Sequence, residues 1–274
     1  MRDYKVEFEK RVEFIKSVVE GAHCSGVVYG NSGGKDCTLV GILCKAACDN
    51  TLSVMMPCSS KRNYGEDLKD ALDTCRQFGI EYRIVDLTST KETLMDAIGT
   101  GVVLNEAGDG SGRNAGAADG AEADPLAAQA GTELNHAAIS NIAPRLRMTT
   151  LYAIGASENR LVAGTGNRSE RYMGYFTKWG DGACDFNPIA DLTVGEIYEF
   201  LDWLDAPENI RKKAPSAGLF EGQTDESEMG VTYAAIDKYL LTGKASKKDL
   251  EVIERYHSRS LHKIEPIKVF DPEE

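Results

Sequence analysis

The arrangement that most restricts how this chain can fold is a glycine-rich turn between an apolar run and a helical one. Gly26-Val27-Val28-Tyr29 reads as a buried strand, Gly30-Asn31-Ser32-Gly33-Gly34 breaks it, and Thr38-Leu39-Val40-Gly41-Ile42-Leu43-Cys44 reads as a helix. Strand, turn and helix start in that order make an anion site. Glycines let the backbone approach an anion closely, and the first turn of the helix leaves N–H groups unpaired and carries partial positive charge. Ser32 adds a hydroxyl and Lys35 a full charge. Two common phosphate loops are excluded by counting: G-x-x-x-x-G-K-[ST] fails because positions 29 and 36 are Tyr and Asp, and G-x-G-x-x-G is not met. Asp36 inside such a turn repels phosphate unless a cation offsets it, and Mg2+ takes carboxylate and phosphate oxygens together.

The rest of the chain alternates strands with helices. Apolar residues at helical spacing from Asp3 to Glu20 give an amphipathic first helix. The helix after the turn runs to about Cys48, a strand covers Leu52 to Met56, and a helix runs from Gly65 to Phe78, stopped by Gly79. A third strand spans Tyr82 to Leu87, helices Lys91 to Leu104 and Ile139 to about Ser157, and a fourth strand Leu161 to Ala163. Then come a turn at Trp179 to Ala183, a helix from Val194 to Leu204, a polar loop from Arg211 to Gly230, and helices near Thr232 to Leu241 and Lys247 to His257. This order implies parallel strands joined by right-handed crossovers. The expected fold is α/β: one doubly wound, mostly parallel sheet with a helical C-terminal appendage.

Residues 105–135 interrupt the pattern. Ala and Gly dominate there, with six acidic residues against the single Arg113. Such a stretch cannot supply a core, so a flexible insertion within a single 1–274 domain is expected.

A chain of 274 residues can bury its own core without staples. No run of about 18 apolar residues and no positive-then-apolar N-terminus occur, so neither a membrane span nor a secretion signal is expected, and the cytoplasm is the expected location. The seven cysteines form no C-x-x-C pair and read as small reduced hydrophobes. A net charge of −12 opposes a nucleic-acid-binding surface but permits a local basic pocket for a nucleotide.

Three later motifs add polar groups. Asn141-Ile142-Ala143-Pro144-Arg145-Leu146-Arg147-Met148 sets two arginines two apart, which alone would be surface decoration. Gly164-Thr165-Gly166-Asn167-Arg168-Ser169-Glu170 follows a strand, where ligands sit in such folds, so Thr165 and Glu170 can face the crevice that holds Ser32. Phe176-Thr177-Lys178-Trp179-Gly180-Asp181-Gly182-Ala183-Cys184-Asp185 could be an ordinary polar loop.

Together these motifs carry a resemblance. Ser32-Gly33-Gly34-Lys35-Asp36-Cys37 resembles the S-G-G-x-D-[ST] loop of enzymes that split ATP between its α and β phosphates. With N-I-x-x-R-x-R-M, G-T-x-x-x-x-E, F-T-K-x-G-D-G and Gln223-Thr224-Asp225-Glu226, the chain resembles the ammonia-dependent NAD+ synthetases from about residue 26 to 263. The resemblance implies an adenine nucleotide alpha hydrolase-like fold and a homodimer. It also implies amidation of deamido-NAD+ by ammonia through an adenylate, releasing AMP and pyrophosphate. Gly30, Asn31, Ser32, Gly33, Gly34, Lys35, Asp36, Cys37, Thr165 and Ser216 would contact ATP, and Asp36 and Glu170 would ligate Mg2+. Arg147, Lys178, Asp185, His262 and Lys263 would hold deamido-NAD+, the last two across the dimer. Asp181 and Lys178 are the expected catalytic residues, with Asp181, or Asp185, attracting ammonium or taking its proton.

Two departures stand out. Cys37 replaces a Ser or Thr, and a thiol is the weaker donor. Val194 replaces a Lys that many members place after Leu-Thr, leaving Lys35, Lys212 or Lys213 as substitutes. No unassigned segment could house the amidase domain of glutamine-using members, so free ammonia is the expected nitrogen source. The competing readings are an RNA-thiolating relative, which would want paired cysteines and a basic surface, and an ATP-binding regulator without turnover.

Overall fold

A computed structural model describes residues 2–59, 64–100, 132–213 and 225–271. Its centre is a four-stranded parallel sheet of β1 (Gly26–Gly30), β2 (Thr51–Met55), β3 (Glu81–Ile84) and β4 (Arg160–Ala163), in the order β3-β2-β1-β4. Val28 aligns with Leu52 on one side and Val162 on the other. Side chains alternate across the pleat, so Val27 and Tyr29 join one core and Val28 the other. Both layers cover the central strands, which is why β1 and β2 read as unbroken apolar runs.

One layer packs α1 (Tyr4–Gly21), α2 (Lys35–Ala47), α3 (Glu66–Phe78) and α7 (Val194–Trp203) on the sheet through Ile15, Leu39, Leu43, Phe200 and Leu201. The other is built on α5 (His136–Glu158), whose Met148 and Leu151 meet Val28, Leu52 and Val162. Helix α4 (Thr88–Thr100) packs beside α5. A third cluster, with Met173, Val231, Tyr233, Ile236 and Ile253, joins α6 (Arg168–Met173), α9 (Asp225–Met229), α10 (Tyr233–Thr242) and α11 (Lys247–Ile264), which make up the appendage, while α8 (Glu208–Arg211) caps the first layer.

The expected α/β architecture is present, and Gly79 closes α3 in a left-handed cap at φ 63°. The boundaries differ where capping, not apolar periodicity, sets them. Asn135 accepts the Ala138 N–H, so α5 starts three residues earlier than its apolar pattern, and it runs through Pro144. The stretch expected as a polar loop contains α9, and α11 continues past His257 to Ile264. Of the Ala/Gly-rich stretch, residues 105–131 lie outside the described residues; the Thr132 N–H donates to the Ile98 carbonyl at 3.0 Å. Among the described residues no helix is long and apolar enough to cross a membrane. All seven cysteines are free thiols.

Strand order places the site. β1 leads outward to β2 on one side, while β4 pairs on the other, so the loops leaving the carboxyl ends of β1 and β4 diverge and open a crevice between them.

Candidate active site

A cavity of about 890 Å³ occupies that crevice. From the β1 side it is lined by Gly30, Asn31, Ser32, Gly34, Lys35, Asp36 and Cys37, and from the β4 side by Gly164, Thr165, Gly166 and Glu170. Gly33 shapes the turn from behind: at φ +74° its missing side chain makes room for the Asp67 carbonyl, which a Cβ would meet at 2.1 Å. Asn31 has a similar duty. Its side chain accepts the Gly33 N–H at 2.9 Å and donates to Ser53 Oγ at 3.1 Å, fixing the turn for the opening of α2.

Asp36 and Glu170 meet across the crevice. Asp36 Oδ2 accepts Lys35 Nζ at 2.7 Å, and its Oδ1 accepts Asn167 Nδ2 at 3.1 Å. Asn167 is itself the N-cap of α6, in a capping box with Glu170. Burial, and after it the Asp36 charge, pushes the Glu170 pKa up to about 8 against the opposing pull of Lys35. Burial alone would lower the Lys35 pKa, but Asp36 and Glu170 hold it above its ordinary value. A buried carboxyl whose proton affinity is raised by burial and a neighbouring carboxylate fits a site for a divalent cation, which would relieve the repulsion. Two protein oxygens, completed by phosphates and water, suit Mg2+.

The Glu170 shift makes a stability claim. Burial pushes its carboxyl pKa up to about 8, from the 4.5 of a free side chain. Folding then binds a proton between those pH values, so this group costs nothing below 4.5 and its penalty grows as pH rises to about 8. Without divalent cation, Glu170→Gln is expected to melt several degrees above the parent protein at pH 8.5 and level with it near pH 4.5. A melting difference that is the same at both pH values would contradict this account.

Cys37 stands where the resembled loop carries Ser or Thr. Its sulfur lies 3.3 Å from Ser32 Oγ, and burial pushes its pKa up against hydrogen bonding from Ser32 and Thr165. The thiol therefore stays neutral. Cys37→Ser is expected to keep turnover and to lower the KM for ATP by about twofold to fivefold, because a hydroxyl donates more strongly. Loss of activity would assign the thiol a role of its own.

The far end of the cavity is built from α5, the 176–185 loop and α11. Arg147 lines it, its Nε donating to the Met56 carbonyl at 3.0 Å; burial lowers its pKa, opposed among others by Asp181. Arg145 faces outward and donates to the Lys178 carbonyl at 3.3 Å. Thr177 ties the loop to α5 through Asn141 Oδ1 at 2.6 Å, and its N–H donates to Asp181 Oδ1 at 3.0 Å, which turns Asp181 toward the cavity. Burial raises the Asp181 pKa, although Lys263 and Arg147 oppose it. Lys263 lines the cavity of its own chain, where Nζ donates to the carbonyls of Gly174 and Phe176 at 2.7 and 2.8 Å. It reaches that position without a second copy.

The remaining expected residues stand apart in the single chain. Lys178 Nζ donates to the His262 carbonyl at 2.5 Å and lies over the Trp179 ring, tying the loop to the end of α11. Asp185 belongs to the sheet edge, accepting the Val162 N–H at 2.7 Å and the Tyr152 hydroxyl at 3.2 Å. Ser216 lies outside the described residues. Val194 is buried in the appendage core. Of the substitute lysines, Lys35 and Lys213 reach the cavity, while Lys212 pairs with Glu208 at the surface. Lys213 is bound to Asp67 and Asp70 at 2.8 and 2.6 Å. Sequence reasoning missed this cluster and Asn167, though N-x-x-E after a strand is a legible capping signal.

Against known families, the profile described as NAD synthase matches residues 7–113 and 120–268. The chain belongs to the NAD synthase family. A relative from Carboxydothermus hydrogenoformans named NH3-dependent NAD(+) synthetase is 40% identical over 262 residues, 95% of each chain. Among solved structures, an NMN synthetase from Francisella tularensis has TM-score 0.82 at 32% identity, covering 99% of this chain and 100% of that one. An NH3-dependent NAD synthetase from Campylobacter jejuni, in complex with nitrate, has TM-score 0.71 at 28% identity, with the same coverage. The parallel sheet and its flanking helices match those of these solved structures.

Proposed function

We propose that this chain is an ammonia-dependent NAD+ synthase that amidates deamido-NAD+ at the expense of ATP, releasing AMP and pyrophosphate. One cavity carries the reading: it joins a phosphate loop and a carboxylate pair at one end to Arg147, Asp181 and Lys263 at the other. Relatives named for the ammonia reaction span nearly their whole length on this chain.

In this reading ATP phosphates lie on Ser32 to Cys37 and the N-terminus of α2. Asp36 and Glu170 would hold Mg2+, which neutralises phosphate charge when bound. Thr165 contacts the ATP from the β4 side. Arg147 and Lys263 orient the nicotinate carboxylate toward the α-phosphorus, and the oxygen attacks to give an acyl-adenylate and pyrophosphate. Ammonia then displaces AMP. Asp181, its proton affinity raised by burial, takes the proton that the attacking ammonia loses. No covalent enzyme intermediate is needed, which suits a site of glycines, carboxylates and basic groups. We also read the protein as a cytoplasmic homodimer in which Lys178, Asp185 and His262 meet substrate at the interface; reduced cysteines and the frequency of two-fold assembly support this.

Purified protein with ATP, Mg2+ and deamido-NAD+ is expected to release AMP and form NAD+ with ammonium but not with glutamine. Efficient glutamine use would overturn the nitrogen assignment, and absence of NAD+ would overturn the reaction. The likeness to an NMN synthetase favours a second reading, in which the acid mononucleotide is amidated instead. Comparing kcat/KM for the two acceptors decides between them.

A further inference from the structure

ATP brings three phosphates to the loop, and a dinucleotide brings two more. The cations nearest the loop are engaged: Lys35 by Asp36, Lys213 by Asp67 and Asp70, and Arg147 in part by the Met56 carbonyl. Helix α11 offers others. Arg255, Arg259 and Lys263 recur every four residues and all line the cavity.

Two contacts fix this face of α11 toward the cavity. Gly174, at φ +65°, has no side chain to keep Ser260 away; a Cβ there would meet Ser260 Cβ at 2.0 Å. One turn further on, Lys263 is held by the Gly174 and Phe176 carbonyls. Among the described residues Arg259 is in no ion pair, and Arg255 has a single ring contact, its guanidinium lying 5.7 Å from the Tyr256 ring centre. Two unpaired guanidinium groups on the wall of one cavity are unusual in a chain of net charge −12, where carboxylates outnumber cations. Eight residues of helix span about 12 Å, longer than one phosphate and suited to two in succession.

We propose that Arg255 and Arg259, continuing from Lys263, hold the diphosphate of the dinucleotide substrate and so favour a dinucleotide over a mononucleotide. The inference rests on the NAD+ synthase reading. Lys263, beside Asp181, marks the nicotinate end, and Arg255, two turns away, meets the phosphate on the adenosine side. Arginine suits this duty because its planar fork takes two phosphate oxygens at once.

Calorimetric titration of the intact protein with deamido-NAD+, acid mononucleotide and ATP tests it, using Arg255→Gln, Arg259→Gln and Lys248→Gln, a same-charge change on α11 away from the cavity. The dissociation constant for deamido-NAD+ is expected to rise about tenfold in each Arg variant, with ATP unaffected, mononucleotide affected by Arg259→Gln alone, and Lys248→Gln silent. Unchanged deamido-NAD+ binding in both Arg variants of an enzyme that still makes NAD+ would overturn the stripe and spare the reaction. Weakening of ATP by the same factor would overturn it by assigning the arginines to ATP. Parent protein that binds ATP but neither acid nucleotide overturns both the stripe and the proposed reaction.

Discussion

Turnover is expected to fall about a thousandfold in Asp36→Asn and in Glu170→Gln, with the fold intact. Both amides preserve local architecture. Asn at 36 can still accept from Asn167, and Gln at 170 can still accept the Asn167 N–H that closes the capping box. What each loses is a carboxylate charge that, in the proposed reading, would hold the cation that neutralises the ATP phosphates. AMP release at saturating ATP and millimolar Mg2+, alongside circular dichroism, measures the effect. Near-parental turnover in either variant would remove the carboxylate pair from the mechanism. Glu170→Gln should thus be both more stable in the absence of metal at high pH and nearly inactive, since the repulsion that weakens the free protein is what a bound cation would relieve.

Gly33→Ala is expected to raise the KM for ATP at least tenfold and to cost about 3 kcal/mol of stability. A methyl group at φ +74° is strained in itself, and here it would also lie 2.1 Å from the Asp67 carbonyl, so the turn must leave α3. Gly79→Ala separates the two causes. Gly79 has φ +63° with nothing within 4 Å of the added carbon, so its variant should lose only about 1 kcal/mol and bind ATP normally. Urea denaturation and ATP kinetics on both variants provide the measurement. Equal effects on ATP would mean that contact with α3 does not shape the loop.

The parallel sheet and phosphate loop were legible because their signals are local: an apolar run with both faces covered, a glycine cluster, and a helix start within twenty residues. Elements held by capping or by tertiary packing were not. Helix α6 is six residues long, too short for a period to show, and α9 lies in an acidic stretch that reads as loop. α11 was cut short at His257 because Ser258 to Lys263 look polar; the structure shows polarity on the cavity side and Ser260 packed under Gly174. Arg255 and Arg259 belong to no sequence motif, and only the packing of α11 brings them to the cavity wall. Asp185 illustrates the converse, since sequence gives its neighbourhood in a motif but not that its carboxylate caps the sheet edge beside β4. Lys213 could be named as a candidate cation, but its two aspartate partners, about 140 positions away, could not.

The crevice joins loops far apart in the chain, and this governs the order of assembly. Asn31 to Asp36 follow β1, whereas Asn167 and Glu170 follow β4, which pairs with β1 only after more than a hundred residues have been gathered in. A chain with only β1, β2 and β3 paired would have the glycine loop but lack the partner carboxylate. Closure entropy makes the β1–β4 pairing costlier to form than the more local β1–β2 pairing. Under the proposed function, nucleotide with its cation would have little hold on a partly paired sheet and would bind the completed one, so by mass action it would favour the last long-range step.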